Sequence, residues 1–411
     1  MALKDYKKGN YGLESIVDRL EINNKLVDEE LTKRDSSLVA DFAGGDYRVD
    51  SNQGRLNNQG FIDLLQFTRN STKTAFNRIG RLIEVGVNQP AFEYDPVTGE
   101  PLGISIHEQR TNLLLWSGDF TQETYKDSSI TITPNYGDSP LGVGTSTRVQ
   151  FSEPNTVFRK LTTSLLSGET ATGSALIKGV KGETIKIDGL SNPQPSAFIT
   201  LTGDWQYVYF TGVTDSNDSV NLSTYTGVTA RDIEVAFMQL EKGSFPTPYI
   251  PTQGSQETRS YDTCIIEDVD QSDWWNPNEC TFIAEFKVDG VQNQQTILGS
   301  EVDQRIIYNG GGSGEIGCFD GSTFTSFKTP DVPIEANKNY ICAISITPTS
   351  VSGCINGNDV ITGPHNGRLL DISRLGVGRR LSGSFLNGTI KQVLYIPHAL
   401  PDEKLQQAST L

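Results

Sequence analysis

Three histidines, His107, His365 and His398, are the scarcest chemistry-bearing side chains in this 411-residue sequence. They stand far apart, with no cysteine or carboxylate at ligand spacing, so a histidine metal centre or a Ser-His-Asp relay is hard to assemble. Structural or solvated histidines are the expectation. Gly312-Ser-Gly314-Glu-Ile-Gly317 spells the dinucleotide fingerprint. No amphipathic helix follows it to present an N-terminus to a pyrophosphate, so it reads as a glycine-rich hairpin. Fifty acidic residues ensure that some carboxylates lie close enough for glycoside hydrolysis. No stacked-strand repeat of the β-helix kind accompanies them. Asp215-Ser-Asn-Asp218 and Asp268-Val-Asp270 could offer oxygens to calcium, but neither has a defined loop spacing, and solvated turns are expected. No metal and no cofactor is called for.

The aromatic residues are more informative. Trp205, Tyr207 and Tyr209 share one face of a strand and could form a platform on which sugar rings stack. Inner faces of sandwiches also take alternating large residues, and core is the reading we adopt for this face. Trp274-Trp275 lies beside Asp273, Asn276 and Asn278 in a loop-like stretch, where one ring must point away from the other. That pair is the candidate ligand-binding site, with a packed domain seam as its alternative.

These residues need elements to position them. Residues 11–38 repeat apolar side chains at four and three, with Leu13, Val17, Leu20, Asn24, Val27, Leu31 and Leu38 on one seam. That pattern predicts a helical segment that oligomerises as a coiled coil, Asn24 setting register. An amphipathic helix packed on its own chain is the alternative. We assign residues 1–40 to this attachment segment and 41–116, rich in Gly, Asn and Arg, to a connector. Residues 117–252 alternate with period two and are punctuated by turns about every ten residues, which predicts an antiparallel sandwich. Pro246–Pro251 reads as a rigid linker or domain seam. The pattern restarts over 253–411, and a second sandwich closes on a short helix after Pro401. The fold class is therefore mainly β: an N-terminal helical segment, then tandem antiparallel β-sandwiches.

Composition bounds the function. A net charge of −16 argues against a nucleic-acid partner, which needs a basic patch. No stretch approaches the apolar length of a membrane span, and the polar N-terminus lacks a signal-peptide core. Synthesis in a cytosol without membrane insertion is expected. The five cysteines, all beyond residue 263 at irregular spacing, suit buried reduced thiols rather than a disulfide framework.

Two passages carry a resemblance. Phe67-Thr-Arg-Asn-Ser-Thr72, Pro96-Val-Thr-Gly99 and Glu108-Gln-Arg-Thr-Asn-Leu-Leu-Leu-Trp-Ser117 resemble a module of bacteriophage tail and fibre proteins that leads into a jelly-roll domain. Leu375-Gly-Val-Gly378, Phe385-Leu-Asn-Gly-Thr-Ile390 and Leu400-Pro-Asp-Glu-Lys-Leu405 resemble the closing strands and helix of concanavalin-like, laminin-G-like sandwiches. The resemblance implies a non-enzymatic virion fibre subunit, a homotrimer, held to other virion proteins by its N-terminal segment and binding host surface glycan. A head fibre or decoration protein is the alternative, and a polysaccharide-degrading enzyme the third reading. No ligand residues transfer from either family, because the sandwich hosts many functions.

Overall fold

The computed structural model describes residues 33, 36–51, 55–58, 60–162, 167–190, 197–214, 218–228, 230–292, 294–300, 304–309, 315–327 and 333–410. Among them the chain is mainly β, with two short α-helices, Phe61–Leu64 and Asp402–Ala408. The heptad residues Leu13, Val17, Leu20, Asn24, Val27 and Leu31 lie outside the described residues. Leu38, assigned to the same seam, is instead the first residue of the strand Leu38–Asp41 and is fully buried. Its partner strand is Gly388–Ile396, with Leu38 opposite Tyr395.

That pairing overturns the connector. The strands Leu38–Asp41, Asp46–Ser51, Arg55–Asn58, Phe92–Tyr94 and Pro101–Ile106 all belong to a ten-stranded sheet with Cys280–Val288, Asn339–Ile346 and Gly388–Ile396. Gln66–Thr68 likewise ends a seven-stranded sheet by pairing with Thr263–Ile266. Phe282, Phe286, Tyr395, Ile297, Ile306 and Ile344 belong to the buried core of this body. The early segment looked too poor in apolar residues to fold alone. It completes a core whose partner strands are encoded about 200 to 360 residues later, so no local signal could show its partners.

Residues 113–252 interrupt this body as an inserted sandwich. One five-stranded sheet runs Thr124–Lys126, Val157–Thr162, Asp218–Ser223, Thr184–Asp188, Ala197–Thr200. The other runs Ile130–Thr133, Thr147–Phe151, Arg231–Lys242, Thr170–Gly179, Gln206–Val213. Phe158, Val220, Ile185, Ile187, Val149 and Phe210 fill the space between them. The chain leaves and rejoins the first body through adjacent antiparallel strands, Arg110–Asn112 and Glu257–Arg259. Asn112 braces this junction, its Nδ2 donating to Ile250 O at 2.8 Å. Pro246–Pro251 is a seam rather than a free spacer: Tyr249 stacks on Phe237 of the inserted sandwich at 3.8 Å. The Tyr249 carbonyl accepts from Thr74 Oγ1 of the first body at 2.6 Å.

Candidate functional site

Between the two bodies lies a cleft of about 360 Å³, within the range of small-ligand sites. One wall is the strand Gln206–Val213 of the inserted sandwich. Val208 and Phe210 are buried in the core, whereas Tyr207 and Tyr209 are 37% and 38% exposed. Period two assigns residues to shared faces but leaves open which face is inward. Here the parity is opposite to the expectation, and the tyrosines line the cleft. Tyr207 is anchored at its tip: its hydroxyl donates to Thr247 O at 3.1 Å and lies 3.0 Å from Ser174 Oγ. Its ring lies tilted against Phe237 at 5.8 Å, and both rings line the cleft.

The Trp274-Trp275 pair is not a surface site. The two residues are 7% and 9% exposed, and both rings pack on Tyr395, Trp275 stacked at 5.1 Å and Trp274 edge-on at 5.2 Å. Polar neighbours in the sequence suggested a loop tip. They serve other ends: Asn276 donates its backbone N–H to Tyr395 Oη and its Nδ2 to Pro397 O. Tyr395 is distant in sequence, and it supplies the apolar contact that draws both indoles inward.

The cleft floor and opposite wall bring together charges that no sequence spacing signalled. His107 Nε2 lies 2.8 Å from Asp289 Oδ2. Its other nitrogen, Nδ1, faces the Lys73 ammonium at 3.1 Å and Ser105 Oγ at 3.2 Å. Lys73 also donates to Ser105 O and Asp262 Oδ2, each at 2.8 Å. Three protons on Nζ thus meet three acceptors. Nδ1 must be unprotonated, and the Nε2 proton points at Asp289. Burial, with Lys73 and Arg259 nearby, holds His107 well below its ordinary 6.5 and keeps it neutral. Asp262 Oδ1 takes Arg69 Nη1 at 3.0 Å and Oδ2 the His107 backbone N–H at 2.9 Å. Burial alone would raise Asp262, but Lys73, Arg259 and Arg69 overcome it and hold the carboxyl below its usual range.

Two carboxyls in the cleft are both raised by burial. Burial raises Glu93 to about 7, against the opposing hydrogen bond from Phe76 N–H. Glu93 Oε1 accepts that N–H at 2.9 Å, while Oε2 is buried without a hydrogen-bond partner. Burial also lifts Asp289 to about 6, despite Lys287, Lys73 and Arg259. Both carboxyls therefore keep their protons to higher pH than ordinary carboxyls, and each can donate or accept near neutral pH.

Ser105, His107 and Asp289 are in contact sequence, so a Ser-His-Asp arrangement exists in outline after all. Its chemistry is blocked at one atom: the Nδ1 lone pair that would take the Ser105 proton already receives one from Lys73. Ser105 is also almost fully buried. Of the remaining candidates, His365 is fixed in a turn, its Nδ1 accepting Gly367 N–H at 2.9 Å. Gly312 and Gly314 lie outside the described residues, and Gly317 sits in the strand Ile316–Asp320. Asp215 lies outside the described residues, Asp218 is a buried strand residue, and Asp268 adopts a left-handed conformation ahead of a short turn. Among the described residues no group of three or more His, Cys, Asp or Glu side chains is placed to hold a metal.

Fold and cleft together define a mainly β, two-body protein with one sandwich inserted into another. No protein-family model matches the chain, and no curated protein matches it by sequence. Solved structures overlap it in part. The CBM40 of a Ruminococcus gnavus IT-sialidase bound to α2,3-sialyllactose is 16% identical, over 33% of this chain and 83% of that one, at a TM-score of 0.27. A tandem CBM22 domain from Paenibacillus barcinonensis is 10% identical over 71% of this chain and 99% of that one, at 0.24. A putative carbohydrate-binding protein from Bacteroides ovatus is 11% identical over 69% and 80%, at 0.28. The chain spans about a quarter of one Trypanosoma rangeli sialidase that it also overlaps, at 15% identity and a TM-score of 0.26.

Proposed function

We propose that this protein is a glycan-binding subunit and that the cleft between its two bodies is the binding site. The observation that carries the reading is the pair Tyr207 and Tyr209, half-exposed on a face turned toward a cleft. A sugar presents an apolar C–H face and a hydroxyl rim. Tyrosine rings suit the first and add little ordering cost, having few rotatable bonds. The Glu93 and Asp289 carboxyls, each able to donate or accept near neutral pH, suit the second.

The setting we propose is a phage virion fibre, on the resemblance of residues 67–117 to fibre modules. Each site would be individually weak, and a homotrimer would multiply attachment through avidity. Binding of a printed array of bacterial surface glycans by the full chain and by Tyr209→Ala tests the site. Retention by the parent chain and loss in the variant support it; equal retention by both overturns the site. Immuno-electron microscopy of virions separates a tail fibre from a head fibre.

A second reading, glycoside hydrolysis, is favoured by the two raised carboxyls in one cleft. It requires release of reducing ends from the retained glycan, and that release to stop in Glu93→Gln. Retention without cleavage leaves recognition alone.

A further inference from the structure

The cleft continues past Tyr207. A second cavity of about 360 Å³ shares Phe76, Pro96 and Tyr207 with the first. Trp205 stands on its wall, half-buried against the cluster of Leu176, Ala236, Phe237 and Tyr249. Trp205, Tyr207 and Tyr209 follow at alternate positions, so the ladder extends about 13 Å along the strand direction, roughly two to three sugar rings.

The far rim is built from two loops, 77–81 and 95–99. Their tips carry Ile79 and Val97, 80% and 71% exposed, at the mouth of the second cavity. The loops meet backbone to backbone. A Cβ on Gly80 would stand 2.4 Å from Pro96 O, and one on Gly99 would stand 2.6 Å from Arg78 O, both glycines having left-handed φ. This rim is therefore fixed, and its two aliphatic side chains are held in solvent with no core to join. Arg81, Asp138 and Asp204 lie beside them, and Arg81 is steadied by donation to Ser139 O at 2.8 Å.

We infer that the two cavities are consecutive parts of one groove, which takes a linear oligosaccharide of at least three sugar residues. Tyr209 and Tyr207 carry one portion, and Trp205 with Ile79 and Val97 carries the next. The inference rests on the glycan-binding reading and narrows it to a linear chain segment. Rings alternating with both donors and acceptors match a polyhydroxylated chain, which needs a platform and lateral hydrogen bonds at every residue.

The test is an array bearing mono- to hexasaccharide fragments of bacterial O-antigens and capsules, probed with the full chain. Affinity is expected to climb between two and about four sugar residues and then level off. Trp205→Ala is expected to weaken tetrasaccharide binding about tenfold while leaving disaccharide binding unchanged. Trp205 is half-buried, so the double variant Ile79→Ser, Val97→Ser supplies the same test through solvent-facing side chains alone. Its selective loss of the longer fragments supports the groove. Equal affinity for di- and tetrasaccharides overturns the groove and leaves the glycan reading standing. Retention of no fragment of any length by the parent chain overturns both.

Discussion

Lys73 and Asp262, 189 residues apart in the sequence, meet at 2.8 Å with neither side chain exposed. The pair ties the segment that reads as a connector to the strand leading into the second half of the body. Arg69 joins it from the same early segment, and His107 extends it to the cleft. Removing Asp262 would leave two cations buried without their counter-charge. Asp262→Ala is therefore expected to cost about 3–5 kcal/mol, read as a drop in the urea midpoint. Lys73→Met should cost less, because Asp262 keeps Arg69 and the His107 N–H. A larger loss in Lys73→Met would contradict this ordering.

Glu93 and Asp289 set the pH dependence. Their ordinary values, 4.5 and 3.8, are raised in the folded protein to about 7 and about 6. Between these limits the folded state holds protons that the unfolded chain has released. Their contribution is complete in acid and is lost as pH rises through 6 and 7. His107 runs the other way, held neutral when folded, so its contribution is lost as pH falls below its ordinary 6.5. Glu93→Gln removes the largest rising-pH loss. Denaturation midpoints at about pH 5 and pH 7.5 should differ less in this variant than in the parent. An unchanged difference would take Glu93 out of the account.

The aromatic residues divide into two classes that mutagenesis can separate. Tyr209→Ala removes a partly exposed ring and should abolish glycan retention with little change in melting temperature. Trp275→Ala opens a hole beside Tyr395 and Phe282 and should destabilise the body by about 3–5 kcal/mol. Under conditions where that variant stays folded, its glycan binding should be normal. Reversed phenotypes would restore the tryptophan pair as the site.

All five cysteines are free and buried. Burial raises every one of these thiols, Cys318 to about 12. A thiol-specific chromogenic reagent should therefore find almost no reactive thiolate in the native protein, and five after denaturation. A rapid native burst would show that one of these strands opens locally.

Much of the local structure is legible from the residues themselves. Thr184–Asp188, Cys280–Val288 and Asn339–Ile346 are strands where alternation marks them. The closing helix begins after Pro401 with Asp402 and Glu403 in its first turn. Turn chemistry and period-two patterning are properties of a few neighbouring residues, so the sequence alone determines them. It also establishes that Trp205, Tyr207 and Tyr209 share a side of the chain.

Tertiary structure decided which side faces inward, because alternation carries no absolute phase and the packing of Val208 and Phe210 supplies it. It likewise buried Trp274 and Trp275 against Tyr395. It recruited Leu38–Asp41 to Gly388–Ile396, and it gathered Glu93, His107 and Asp289 around one cleft. The phase rests on strands some 35 positions apart, and the others on contacts between residues more than 100 positions apart. Such contacts form only when the whole core closes, so no window of sequence contains the information.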